Sequence, residues 1–181
     1  MNGTKIIGRV VSCVVITGSL VAPLVTLSGV GAGAASSVVR PCSRLVVAAG
    51  SEEGAGGTGA VVLLLGNAGS KCVVEGYPRV EFVTAHGVVV DTRNLHRSSM
   101  IFAEPPVRPV VLVHGAVASV GVSWTDTPVN GEACPQVAWS DVSLSNGVGS
   151  FSGNPAVWAA PCGGWLMVTP IEFGPTPRMA E

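Results

Sequence analysis

The chain has 181 residues, 48% of them hydrophobic and only 12% charged, with ten basic and eleven acidic side chains. That length suits one domain, and the near-neutral balance excludes the basic surface that grips nucleic-acid phosphates. So few charges also leave too little Glu, Lys and Arg to solvate several amphipathic helices, whereas 24 glycines and 13 prolines suit a β-protein with many turns.

Lys5 and Arg9 give a basic start, Val10 to Val30 is apolar without a charge, and Ala32-Gly33-Ala34 supplies small residues before Ala35 and Ser36. This is the layout of a secretory signal peptide with an A-x-A type cleavage site. Residues 1–35 are therefore expected to be a signal segment and residues 36–181 the domain, with its core at about 42–173. The apolar run is long enough to span a bilayer, so membrane contact is expected only through this segment, if it is uncleaved. Gly18, Pro23 and Gly29 interrupt the run, and its small-residue exit favours cleavage. Val10-Val11-Ser12-Cys13 looks like a lipobox, but the apolar run follows Cys13 instead of preceding it. Without Lys5 and Arg9 the domain keeps eight basic and eleven acidic residues, a formal charge of −3.

Ser36 to Pro41 is a short lead. Arg44 to Ala49 is predicted as the first strand, and Gly50 to Gly59, with its many glycines, as a flexible loop. Ala60 to Leu65 is an unbroken apolar run, which predicts a central strand buried on both faces. Asn67 and Gly69 supply turn chemistry. Arg79 to Thr84 alternates as a half-exposed strand, His86-Gly87 turns, and Val88 to Thr92 returns. Arg93 to Val107, with Pro105-Pro106, is predicted as a long connection between sheets. Pro109 to Val113 is a strand, and His114-Gly115 a turn. Ala116, Ala118, Val120, Val122 and Trp124 then share one face of the most regular strand pattern in the chain. Thr125 to Pro135 is a polar loop, Gln136 to Leu144 a strand, Ser145 to Pro155 a loop, and Trp165 to Pro170 the last strand. The tail from Gly174 is expected to be loose. Eight or nine short strands between turn signals predict an antiparallel β-sandwich.

Five cysteines become four once Cys13 leaves with the signal, and an even number in an exported chain implies disulfides. Three pairings of Cys42, Cys72, Cys134 and Cys162 are possible. Cys42–Cys72 with Cys134–Cys162 is favoured, because an antiparallel first and second strand bring Cys42 and Cys72 together. Each bridge closes a loop of about 30 residues, about 3–4 kcal/mol in the chain-entropy model, against a typical total of about 5–15 kcal/mol. A four-cysteine metal site is disfavoured because no close C-x-x-C pair exists.

Asn67-Ala68-Gly69-Ser70-Lys71-Cys72, Gly76-Tyr77-Pro78, Gly115-x-x-Ala118, Trp124, Cys134 and Cys162-Gly163-Gly164 together resemble the actinobacterial secreted domain of unknown function 4232. The resemblance runs from Cys42 to about Pro170. It implies an immunoglobulin-like sandwich in exported, often cell-wall-associated or lipid-anchored proteins, mainly of mycobacteria, streptomycetes and relatives, and no known reaction. Two departures stand out: His114-Gly115 replaces a frequent Pro-Gly, and a proper lipobox is absent, so a lipid anchor is not carried over.

The chain carries little recognisable catalytic chemistry. The histidines are His86, His96 and His114, and no G-x-S-x-G elbow accompanies them. His86 with Asp91, or His96 with Ser98-Ser99, would be the place for a hydrolase, but His86 and His114 each precede a Gly in a predicted turn and are read as turn residues. Convergence of His86, His96, Met100 and His114 would make a copper site, the alternative function. Glu52, Glu53, Asp126, Glu132 and Asp141 are scattered acids and are read as solvated surface, not as a glycosidase pair. Trp124 is expected in the core, Tyr77 as a corner residue bonding nearby backbone, and Trp158 or Trp165 as the exposed aromatic for a sugar ring or partner. The sequence thus predicts an exported, disulfide-stabilised, non-enzymatic binding module of the cell envelope, without cofactor or nucleic acid, whose partner is an envelope protein or glycan.

Overall fold

Val117–Thr125 alternates apolar residues with Ser119, Gly121 and Ser123, a pattern that gives a strand with one face for a core. The computed structural model describes residues 39–128, 131, 133–144, 150–153 and 159–181, and this strand is its centre. The chain is an all-β sandwich of eleven strands, with no helix among the described residues. They are β1 (Leu45–Ala55), β2 (Thr58–Asn67), β3 (Cys72–Val74), β4 (Arg79–Val83), β5 (Arg93–His96), β6 (Val110–Leu112), β7 (Val117–Thr125), β8 (Trp139–Ser143), β9 (Ser150–Gly153), β10 (Cys162–Val168) and β11 (Glu172–Phe173). The expected signal segment, residues 1–35, lies outside the described residues.

One layer is a six-stranded sheet in the order β1-β2-β7-β10-β5, with β11 also paired to β7. The other is built from β3-β6 and β4-β8-β9. β2 runs along one edge of β7, while β11 and β10 share the other. Every pair of strands is antiparallel except β5 with β10, which run parallel with Arg93 opposite Trp165. Val47, Leu63, Val120 and Leu166 of the large sheet pack in one core with Val74, Phe82, Leu112 and Val142 of the opposite layer. Burying each such side chain contributes about 1.5–3 kcal/mol.

β2 is buried on both faces. Val61, Leu63 and Leu65 join the main core, while Ala60 and Val62 meet Ile101 and Phe102 on the outer face. The Phe102 ring lies flat on Gly121, where a Cβ would come within 2.5 Å of it.

Four predicted irregular stretches differ. Gly50 to Gly59 is mostly strand: β1 runs on to Ala55, and only Gly56-Gly57 turns, at φ of 55° and 80°. A two-residue turn with both φ positive matches the twist of a hairpin, and ladder pairing offsets the entropy lost by the glycines. The register slips between Ala49 and Glu52, so Gly50 and Ser51 bulge opposite Val62. Ser145 to Pro155 contains β9, paired to β8. Its Gly153 is there for space, since a Cβ would overlap the Val47 carbonyl oxygen of β1. The connection after Arg93 starts with β5, which the periodicity does not signal because R-N-L-H has no apolar alternation. The tail is tied down: Ala103 N–H donates to Arg178 O and Ala180 N–H to Ile101 O, both at 2.9 Å. Val88 to Thr92 returns along β4 through a bridge between Val83 and Val89, short of a full strand.

Candidate functional site

The sequence singles out the corner Asn67–Cys72, and its geometry follows from one amide. Asn67 ends β2 and is 2% exposed. Its Oδ1 accepts the Gly69 N–H at 2.8 Å, which folds the turn. Its Nδ2 donates to Ser70 O at 2.9 Å and to Leu112 O and Val113 O at 3.0 and 3.2 Å. The Asn67 backbone N–H donates to Ala116 O, and its carbonyl accepts from Gly115. Asn carries two donors and an acceptor on a short stem, so one side chain ties β2, the turn, the end of β6 and the approach to β7. His114 Nδ1 lies 3.1 Å from Gly69 O and donates to it, because a carbonyl only accepts. Cys72 then opens β3 opposite Leu112 and is bonded to Cys42, with the two Cα atoms 4.8 Å apart.

Gly76-Tyr77-Pro78 forms a second knot. Gly76, at φ 88°, accepts the Ile171 N–H at 3.0 Å, and Pro78 is buried. The Tyr77 ring stacks on His96, centroids 4.3 Å apart and nearly parallel, and its hydroxyl donates to the Glu104 carboxylate. Tyr77 therefore bonds a distant side chain, not the nearby backbone expected of a sandwich corner. Partial burial, then the hydrogen bond and charge of Glu104, push the phenol up to about 12. At neutral pH it keeps its proton and holds Glu104 as acceptor, so this pair braces the fold and is not poised to move protons.

The remaining candidates are spread out. His86 stands exposed in the β4 turn, His96 lies under Tyr77, and His114 caps Gly69. Met100 is 73% exposed, and no cluster of three or more His, Cys, Asp or Glu side chains with metal-binding geometry occurs among the described residues. Ser99 Oγ accepts the Ile101 and Phe102 N–H groups, which explains it as a turn residue. Glu52 and Glu53 lie on the exposed β1–β2 arm, Asp126 follows β7, and Asp141 sits on β8. Glu132 and Trp158 lie outside the described residues. Trp124 is buried and meets Phe82 edge-on at 5.5 Å.

Trp165 is the exception, 42% exposed on a strand. Cys162 pairs with Thr125, but the register next resumes at Met167 opposite Ser123. Gly163 and Gly164, at φ 74° and 71°, absorb the extra length as a bulge. The bulge frees Trp165 from β7, and β5 supports it instead, with the Arg93 guanidinium 5.5 Å from the ring centre. Cys162 is also bonded to Cys134, Cα atoms 5.1 Å apart, which fixes the strand just before the bulge. Asn94, on the same β5, accepts the Val80 N–H at 2.6 Å and donates to Val80 O at 2.8 Å. Its amide imitates a strand and links the two layers. Arg93, Asn94 and Glu104 were not found from the sequence, since each acts across the fold on a residue far away in the chain.

The family described as Domain of unknown function (DUF4232) matches residues 41–172. The chain belongs to this family. No curated protein and no solved structure matches it. The matched part of this DUF4232 chain holds both disulfides, the Asn67 corner, the Tyr77 knot and the Trp165 bulge.

Proposed function

We propose that this DUF4232 chain is an exported, disulfide-stabilised, non-catalytic binding module of the bacterial cell envelope. Trp165 carries the reading. Trp and Arg are enriched among the few residues that carry most of an interface's binding energy, and a half-exposed indole backed by Arg93 on paired strands is a ready platform for a sugar ring or a partner's apolar side chain. Two disulfides suit an oxidising compartment, and the N-terminal layout suits export. The partner is an envelope glycan or protein.

The test is retention of the purified protein on insoluble cell-wall glycan and on solubilised envelope protein, against Trp165→Ala of equal melting temperature. Retention lost in the variant supports the module. Turnover by the pure protein, abolished by replacing one His or acid, would overturn it. Sequencing the N-terminus of protein recovered from cells checks export, with Ala35 or Ser36 expected first.

A further inference from the structure

A pocket of about 640 Å³ lies at the Asn67–Cys72 corner, away from Trp165, and Arg40, Arg44 and Lys71 line it. No acidic side chain among the described residues lines it. The ion pair of Arg79 with Glu81 is elsewhere. Three exposed cations therefore face one concavity with no acid among its described lining residues, in a domain whose formal charge is −3.

Four carbonyls on its rim are already engaged. Arg40 O takes the Val73 N–H, Arg44 O the Ala68 N–H, Ser70 O the Asn67 amide and Gly69 O the His114 ring. Its side chains include the three cations, which only donate, and the hydroxyls of Ser43 and Ser70, which can donate as well as accept. The frame under them is fixed. Arg40 and Arg44 flank Cys42, Lys71 precedes Cys72, and the disulfide between those cysteines brings the two segments together. Preorganised donors around a concavity bind an anion without first losing backbone freedom. Guanidinium forks match the paired oxygens of a phosphate, and a lysine adds a point charge.

We infer that this pocket binds a phosphate group, either free or borne by a larger ligand. The proposal is independent of the Trp165 surface, so Trp165→Ala keeps it. The experiment is calorimetric titration of the full chain with inorganic phosphate and, separately, with polyphosphate at low salt. Arg44→Ala, Lys71→Glu and Arg108→Ala serve as variants, each checked for an unchanged melting temperature. One phosphate is expected per chain, weakening with added salt. Arg44→Ala should weaken it by about tenfold or more, Lys71→Glu should abolish it, and Arg108→Ala should leave it unchanged. Tighter binding of polyphosphate assigns a polymer-borne group, and equal binding assigns free phosphate. Absence of saturable binding in the millimolar range, or equal losses in Arg108→Ala and Lys71→Glu, would overturn the proposal.

Discussion

The two ends of β7 each lie beside a disulfide, yet they are built differently. At its start, Cys42 and Cys72 are both buried, and Asn67 fills the space with hydrogen bonds to three stretches of chain. At its finish, Cys162 pairs with Thr125, but its partner Cys134 is half-buried in irregular chain, and Gly163-Gly164 breaks the ladder at once. The first bridge is one link in a network that holds several strands. The second anchors a single connection and leaves the neighbouring strand free to bulge. Two bridges of nearly equal loop length, 30 and 28 residues apart in sequence, thus differ in what surrounds them.

Removing each pair is the most direct way to break this comparison. Chain entropy gives about 3–4 kcal/mol for either loop. The Cys42→Ala, Cys72→Ala double variant should lose more, because it also empties buried volume beside Asn67. Urea unfolding of both double variants measures the difference, and equal losses would show that surroundings do not matter. Next comes Asn67→Ala, which leaves the Leu112 and Ser70 carbonyls without their partner and should cost about 3 kcal/mol. A cost under about 1 kcal/mol would mean that water replaces the amide.

Tyr77 sharpens the comparison from outside both ends. Its folded phenol is raised from 10.0 to about 12. Above pH 10 the unfolded chain releases a proton that the folded chain keeps, so stability is full below that pH and falls as pH rises through about 12. The protein has one tyrosine, so absorbance titration reports this group alone. Tyr77→Phe should remove the tyrosine-linked part of the pH dependence. The smallest effect is expected at His86→Ala, an exposed turn residue, within about 0.5 kcal/mol by thermal melting. Cys72→Ala should far exceed it.

Much of the fold is legible in local pattern. The apolar run at Ala60 to Leu65 and the alternation at Ala116 to Trp124 are found as β2 and β7; the two-faced burial of β2 follows from the pattern, whereas β7 is buried on its serine face too, with Ser119 and Ser123 inaccessible and Phe102 on Gly121. The Gly-rich arm was not legible as strand, because glycine in a ladder and glycine in a loop look alike until a partner strand is present. β9 was hidden for the same reason, its Gly153 serving contact with Val47. N-A-G-S-K-C marks the corner in the sequence, but not that its amide reaches Leu112.

The sequence alone determined that this chain is an all-β protein, where most strands begin and turn, and which residues Gly and Asn place at tight corners. Those are consequences of side-chain period and backbone freedom within a few residues. Tertiary structure decided the rest. It set Arg93 over Trp165, Glu104 on Tyr77, Asn94 across the two layers, and Arg40 and Arg44 beside Lys71. Each of these depends on pairing between residues distant in the chain, and such pairing leaves no periodic trace in either partner.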